Sequence, residues 1–402
     1  MISDDGIYVT SFGIISAIGI DGASTLESLL HCRSGIAPVR HLSTSLRDIP
    51  VGEVALSDIE LVAANNITGT ATGLRSSLLG IHAARQALAS RRPSSLRHTA
   101  FISGTTVGGM DNTERYFERI YKEGADAELT IQLEYNDCGY STRLIAESTG
   151  EFGMTSTVST ACSSAANAIA HGADLIRAGV VDNALAGGTE CLSRFHLNGF
   201  NSLMILDSRR CRPFSADRAG INLGEGAAYL LLERGADIKA AGIQPLARLS
   251  GYANACDAFH QTATSDNGEG AFLSMTKALE MARLTPSDIS YINTHGTGTP
   301  NNDITELAAM QRIWGNNLPP YSSTKSLTGH TTSASGAIEA VISILALRHC
   351  FLPAGINGPE PLFPACPPVE RPVSAPVKHV ISNSFGFGGN DTTLIFSAPD
   401  LP

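Results

Sequence analysis

The 402-residue chain is 43% hydrophobic and 16% charged, with a formal net charge of −10. A chain of this length can bury a sizeable core, and its acidity argues against nucleic acid as a general partner. The eight cysteines (32, 138, 162, 191, 211, 256, 350 and 366) form no CxxC pair, and the opening Met1-Ile-Ser-Asp-Asp has no basic leader. No apolar run approaches the ~20 residues of a membrane span. We expect a cytoplasmic protein with reduced thiols and no membrane span.

Alternating apolar runs and turn signals set out the elements in chain order. Ile7 to Ser16 reads as a strand, Ser24 to Leu30 and Gly80 to Ser90 as helices, and Thr99 to Ser103 as a strand entering Gly104-Thr-Thr-Val-Gly-Gly. An apolar strand then ends at Val158-Ser-Thr-Ala-Cys-Ser-Ser-Ala-Ala, and a helix follows with Ile169, Gly172, Ala173 and Ile176 on one face. Ala184 to Ala186 and Ala227 to Leu232 read as buried strands. After a break at Arg234 to Pro245 comes a second cycle: strand Leu246 to Gly251, helix Ala271 to Ala282, strand Ile289 to Asn293. An apolar helix runs from Gly336 to about Leu347, and the last strands are Val377 to Ser384 and Thr392 to Phe396. Alternating strands and helices imply α/β layers, and helices apolar on all faces imply buried ones. Small-residue helices behind a central strand in both parts hint at duplication, although no sequence repeats.

Four motifs carry the chemistry. Cys162 lies where a strand passes into a helix, so unpaired N–H groups and the positive end of the helix dipole favour its thiolate. His295 ends a strand in Asn293-Thr-His-Gly-Thr-Gly-Thr-Pro, and His330 closes Ser323-Thr-Lys-Ser-Leu-Thr-Gly-His. Asn383-Ser-Phe-Gly-Phe-Gly-Gly-Asn is a glycine loop between strands; with no helix after it, it is not a phosphate loop. Glu339 is the only charge between Thr331 and Leu347, so it either pairs with Lys325 or lies on an exposed helix edge. Each histidine alone could be a satisfied core residue, and Asp303 could join them on a metal, but no short ligand spacing supports one. One cysteine and two histidines suit thioester chemistry with decarboxylation: the thiolate takes an acyl group, and two imidazoles hold an oxygen as enolate charge develops. A Cys-His hydrolase needs only one histidine and an orienting Asn or Asp.

These four motifs, in this order and spacing, resemble the elongating β-ketoacyl-acyl-carrier-protein synthases of the thiolase superfamily over essentially the whole chain. The resemblance implies an α/β, thiolase-like five-layered αβαβα fold of two similar halves, 1–240 with the nucleophile and 241–402 with both histidines. It implies Cys162 as acylated nucleophile, His295 and His330 as the decarboxylation pair, and Lys325 and Glu339 as their support. Backbone N–H groups of Cys162 and Phe387 would form the oxyanion hole, with Phe387 a gate. Thr297, Thr299 and Thr262 would bind pantetheine, and Val107, Met110 and Phe200 would line the acyl pocket. No cofactor or metal is implied: substrates would ride on the phosphopantetheine of an acyl carrier protein. The partner would be that carrier, with a homodimer or a heterodimer with a related ketosynthase-like subunit.

Some residues depart from the pattern. Ser333 stands where the family commonly has glycine, so helix packing there is expected to differ. Met204 falls where many fatty-acid enzymes place a carrier-contacting arginine, and Arg209, Arg210 and Arg212 are nearby substitutes or a solvated loop. The run from Arg212 to Ala227 resembles discrete ketosynthases of specialised pathways such as aryl-polyene systems. A chain-length-factor-like partner would typically lack the nucleophile, and a thiolase would need a second cysteine between Ser382 and Asn390, where there is none.

Overall fold

The computed structural model describes residues 2–67, 74–124 and 126–399. Ten strands form one mixed sheet: β1 (Ile7–Ser16), β2 (Thr99–Gly104), β3 (Met154–Val158), β4 (Asn183–Glu190), β5 (Gly226–Arg234), β6 (Ala247–Cys256), β7 (Tyr291–Asn293), β8 (Tyr321–Ser322), β9 (His379–Gly386) and β10 (Asn390–Ser397). Six helices pack on it: α1 (Arg75–Ser90), α2 (Cys138–Thr149), α3 (Ser164–Arg177), α4 (Glu269–Ala282), α5 (Pro300–Trp314) and α6 (Ser335–His349). The strand order is β8-β7-β9-β10-β6-β1-β5-β4-β2-β3. Taken from each outer edge inward, β3-β2-β4-β5-β1 and β8-β7-β9-β10-β6 have the same chain order and the same mixture of parallel and antiparallel pairs. Among the described residues, the two half-sheets join only where Ile7–Val9 pairs with Ala247–Leu249. The duplication hinted at by the sequence is therefore a duplication of topology.

Five layers follow. Helices α1 and α2 cover the outer face of one half-sheet, α4 and α5 the outer face of the other, and α3 and α6 lie between the two. A helix between two sheets has no polar face to spare, and every residue of α6 from Ser335 to Leu347 is buried. Small residues let α3 and α6 approach: a β-carbon on Gly336 would come within 2.8 Å of Ala166. The turns preceding α3 and α6 thus meet at the centre of the molecule. One carries Cys162 and the other His330.

Every expected strand and helix is present, with ends moved by a few residues. The helices Asp58–Asn65, Met110–Glu123, Ala127–Glu134 and Arg194–Ser202, together with α2 and α5, are present in addition to the expected elements. None of the described helices is long and apolar enough to cross a membrane.

Candidate active site

Three strand ends, two of them equivalent in the two halves, and one hairpin turn build the site. After β3 the chain turns sharply: Ala161 has φ +53°, a left-handed conformation that costs a residue with a β-carbon. That turn sets Cys162 one residue before the N-cap of α3, with its side chain 6% exposed. The backbone N–H groups of Cys162 and Phe387 both favour negative charge on the sulfur. The thiolate expected from the helix terminus is nevertheless not the resting state. Burial outweighs the N–H groups and the nearby Lys325, and pushes the thiol up to about 11. Sequence shows the helix terminus; only packing shows the desolvation that opposes it.

His330 follows β8 as Cys162 follows β3. Its backbone is pinned on both sides, its N–H donating to the Asn222 carbonyl (2.7 Å) and its carbonyl accepting from Gly224 N–H (2.9 Å). Its Nε2 lies 3.1 Å from Cys162 Sγ, and its Nδ1 lies 2.9 Å from Ser335 Oγ. His295, at the end of β7, stands edge-on to it with ring centroids 5.3 Å apart. Burial, with Lys325 adding to it, holds both imidazoles well below their usual value, so both are neutral.

Lys325 and Glu339 are paired and 1% and 3% exposed, which settles the choice against an exposed helix edge. Lys325 Nζ also donates to the His295 carbonyl at 2.5 Å and faces His295 Nδ1 at 3.4 Å. Burial pushes the Glu339 carboxyl up to about 7 against the pull of Lys325. Two carboxylates hold the His295 loop from below: Glu306, which the sequence does not mark, and Asp303, which the sequence offers only as a metal ligand. Glu306 accepts from the N–H of His295 (2.9 Å) and Gly296 (2.8 Å), and Asp303 from those of Thr297 (3.0 Å) and Gly298 (3.1 Å). Gly296, at φ +28°, has no room for a β-carbon beside Phe214 and Ser323. Asp303 is thereby turned to the backbone and is no metal ligand. The donor atoms of Cys162, His295 and His330 do lie within 4.8 Å of one another, a Cys-His-His set that suits zinc, but the Lys325 ammonium at 3.4 Å from His295 opposes a cation there.

The glycine loop closes the site. Asn390 Oδ1 accepts from Ser163 Oγ (2.9 Å), Asn167 Nδ2 (2.9 Å) and Asn254 Nδ2 (2.7 Å), tying the β9–β10 hairpin to the residue after the nucleophile. Asn390 ends the glycine motif, but nothing in the local sequence marks Asn167 or Asn254 as its partners. Phe387 at the hairpin tip is 36% exposed and stacks on Phe200 with centroids 5.9 Å apart.

A cavity of about 330 Å³ reaches from the surface to Cys162, His295 and His330. Its walls include Phe200, Thr262, Thr297, Thr299, Phe387 and, at the mouth, Met204, which is 88% exposed. Thr297 and Thr299 share a 2.9 Å hydroxyl hydrogen bond. Val107 and Met110 are not among the lining residues; they sit in the turn entering the helix Met110–Glu123. A second cavity, about 660 Å³, is walled by ion-paired Arg75, Asp58 and Glu225, which are committed to one another.

Ser333 is fully buried. Its hydroxyl donates to the buried Glu190 carboxylate at 2.7 Å, which also accepts from Thr106 N–H at the same distance. Of the three arginines near Met204, Arg212 is buried and bridged to Asp207 and Asp217, so it cannot dock a carrier. Arg209 is exposed but shares Asp217 at 3.6 Å, and Arg210 is exposed.

Two halves of equal topology, with a cysteine and a histidine at equivalent strand–helix turns, define a thiolase-like protein with a Cys-His-His centre. The β-ketoacyl synthase N-terminal domain family matches residues 4–237 and the C-terminal domain family residues 246–358. The 3-oxoacyl-[acyl-carrier-protein] synthase 2 of Synechocystis sp. is 31% identical, covering 97% of both chains. That of Staphylococcus aureus is 29% identical with the same coverage. Among solved structures, the ishigamide ketosynthase/chain length factor is 31% identical with a TM-score of 0.90, covering 98% of this chain and 99% of that one. A ketosynthase in complex with its chain length factor from Xenorhabdus doucetiae is 33% identical with a TM-score of 0.80 over 98% of each. The chain belongs to the β-ketoacyl synthase family.

Proposed function

We propose that the protein condenses an acyl chain with a malonyl-acyl-carrier-protein, releasing CO2 and giving a β-ketoacyl-acyl-carrier-protein, in fatty-acid or polyketide biosynthesis of the aryl-polyene kind. The observation that carries this is a buried thiol 3.1 Å from one imidazole, with a second imidazole beside it at the end of a cavity. In the first half-reaction Cys162 attacks the acyl thioester, its proton leaves through His330, and the pantetheine thiol departs with that proton. The oxyanion lies against the Cys162 and Phe387 N–H groups. In the second, a malonyl thioester takes the vacated arm, with its pantetheine along Thr297, Thr299 and Thr262. His295 and His330 face its carbonyl oxygen as CO2 leaves, and the resulting carbanion displaces the acyl group from Cys162. Lys325 and Glu339 hold His295, Phe387 opens and closes on Phe200, and Phe200 walls the acyl end. Neither a metal nor a cofactor enters the scheme, because the carrier's phosphopantetheine brings both substrates.

The partner in this reading is an acyl carrier protein in the cytoplasm, and residues 1–240 and 241–402 act as two halves around one centre. A second reading is a ketosynthase that works only beside a chain-length-factor-like subunit. It is favoured by two similar structures of that kind and by β3, an edge strand of the sheet that among the described residues pairs with β2 alone. Assaying malonyl-dependent chain extension by the purified protein, alone and with candidate subunits, tests both. Extension by the protein alone excludes the second reading; none in any combination excludes the first as well.

A further inference from the structure

Ser335, the first residue of α6, has no part in the scheme above, yet its hydroxyl lies 2.9 Å from the catalytic imidazole. The turn that brings it there is held against strain: Thr332, a β-branched residue, has φ +46°. A buried neutral imidazole carries one N–H and one lone pair, and the partners of its two nitrogens decide which is which. At His330, Nε2 faces Cys162 Sγ at 3.1 Å. A thiol is a weak donor and sulfur a poorer acceptor, so a protonated Cys162 makes Nε2 the lone-pair nitrogen. The N–H is then on Nδ1 and points at Ser335 Oγ. The serine's own proton is free to face Thr331 Oγ1, 3.3 Å away.

His295 is set the other way. Its Nδ1 faces the Lys325 ammonium at 3.4 Å, and an ammonium has donors only. Nδ1 must therefore accept, and Nε2 carries the proton.

We propose that Ser335 is a positioning residue for acyl transfer: by accepting the Nδ1–H of His330 it leaves Nε2 bare to receive the Cys162 proton, while Lys325 fixes His295 as the opposite tautomer, with a donor ready for an oxyanion. The proton balance closes within the first half-reaction. The S–H bond breaks as Nε2–H forms, the sulfur bonds to the acyl carbon, and the expelled pantetheine sulfur takes the proton from Nε2. The ring returns to neutral with Nδ1–H still on Ser335. Because a hydroxyl can donate as well as accept, Ser335 does not bar the ring from the Nε2–H form that facing a malonyl oxyanion needs. This assignment rests on the condensing function proposed above and predicts a division of labour between the two histidines.

The test separates the half-reactions. Single-turnover acylation of Cys162 by an acyl-pantetheine thioester is followed by intact mass for the wild type, Ser335→Ala and Ser335→Thr. Malonyl decarboxylation is followed separately in a Cys162→Ala background, with and without Ser335→Ala. Ser335→Ala should slow acylation about tenfold or more below pH 8 and change decarboxylation less than about twofold, the span of ordinary context effects. Ser335→Thr, which keeps the hydroxyl, should restore acylation. Nitrogen-15 spectra of the histidine rings should show His330 protonated at Nδ1 in the wild type and a tautomer mixture in Ser335→Ala. Equal losses in both half-reactions would reduce Ser335 to a packing residue. Loss of decarboxylation alone would mean that the serine donates to Nδ1, the reverse of the assignment. A wild type that never acylates Cys162 defeats the proposed function itself, whereas a Ser335→Ala protein that acylates at the wild-type rate, with unchanged ring spectra, defeats only this inference.

Discussion

Removing the Lys325 ammonium should cost stability in a way that depends on pH with a particular sign. In Lys325→Ala the Glu339 carboxyl stays buried with no counter-charge, and breaking such a pair costs about 3–5 kcal/mol. The carboxyl already titrates near 7 in the fold against a model value of 4.5, because burial outweighs Lys325. A raised folded-state value gives stability that is fully present below 4.5 and is lost as pH rises through the folded value. In the wild type that loss ends near pH 7, where folded Glu339 has ionised. Without the lysine the folded value rises further, so the loss continues above pH 7. The two proteins should therefore lose stability in parallel up to about pH 7 and diverge beyond it. Urea unfolding midpoints from pH 5 to 9 measure this directly. Glu339→Gln in the Lys325→Ala background should remove the divergence and recover part of the loss. Parallel pH curves throughout, or strictly additive effects in the double-mutant cycle, would refute the coupling of this pair.

Other outcomes follow from the same geometry. Cys162→Ala should abolish chain extension yet retain malonyl decarboxylation, while His295→Ala should lose decarboxylation by about 100-fold, as removal of an oxyanion donor does; chain extension by Cys162→Ala would overturn the nucleophile. Alkylation of Cys162 by iodoacetamide should climb about tenfold per pH unit between pH 7 and 9, since the thiol is pushed up to about 11; a plateau near pH 7 would mean that the helix terminus prevails over burial. Phe200→Ala should lengthen the preferred acyl chain, each newly accommodated methylene contributing ~0.8 kcal/mol, whereas Val107→Ala, outside the cavity wall, should leave the length profile of Cys162 acylation unchanged. Arg210→Glu should raise KM for the acyl carrier in a salt-dependent way and spare small pantetheine thioesters; equal effects on both would remove it from the docking surface.

Much of the fold was legible because buried strands and central helices write long apolar runs. Ile7–Ser16 and the stretch from Gly336 to Leu347 contain almost no charge and could be nothing else. The two-residue strand Tyr321–Ser322 is too short to alternate, and α5, though it starts with Pro300 at its first turn, lay in the shadow of the His295 motif. The Cys162, His295 and His330 turns could be read from their glycine, serine and threonine settings. Glu306, Asn390 and Ser335 could not, because each works through a partner made near by folding: Glu306 through backbone N–H groups, Asn390 through Ser163, 227 positions away, and Ser335 through an imidazole. The Lys325–Glu339 pair was inferable because a lone charge in an apolar helix demands a partner. The state of the thiol was not, since desolvation belongs to the packed molecule and not to the helix that starts beside it.

Mass spectrometry of the intact protein, charged with an acyl carrier and then chased with malonyl carrier, tests the central claim most directly. An acyl adduct should appear on Cys162, persist in buffer, and discharge as a β-ketoacyl carrier with loss of CO2 only when malonyl carrier is added. An adduct that water discharges at the same rate without malonyl carrier, or one that forms equally on Cys162→Ala, would contradict it.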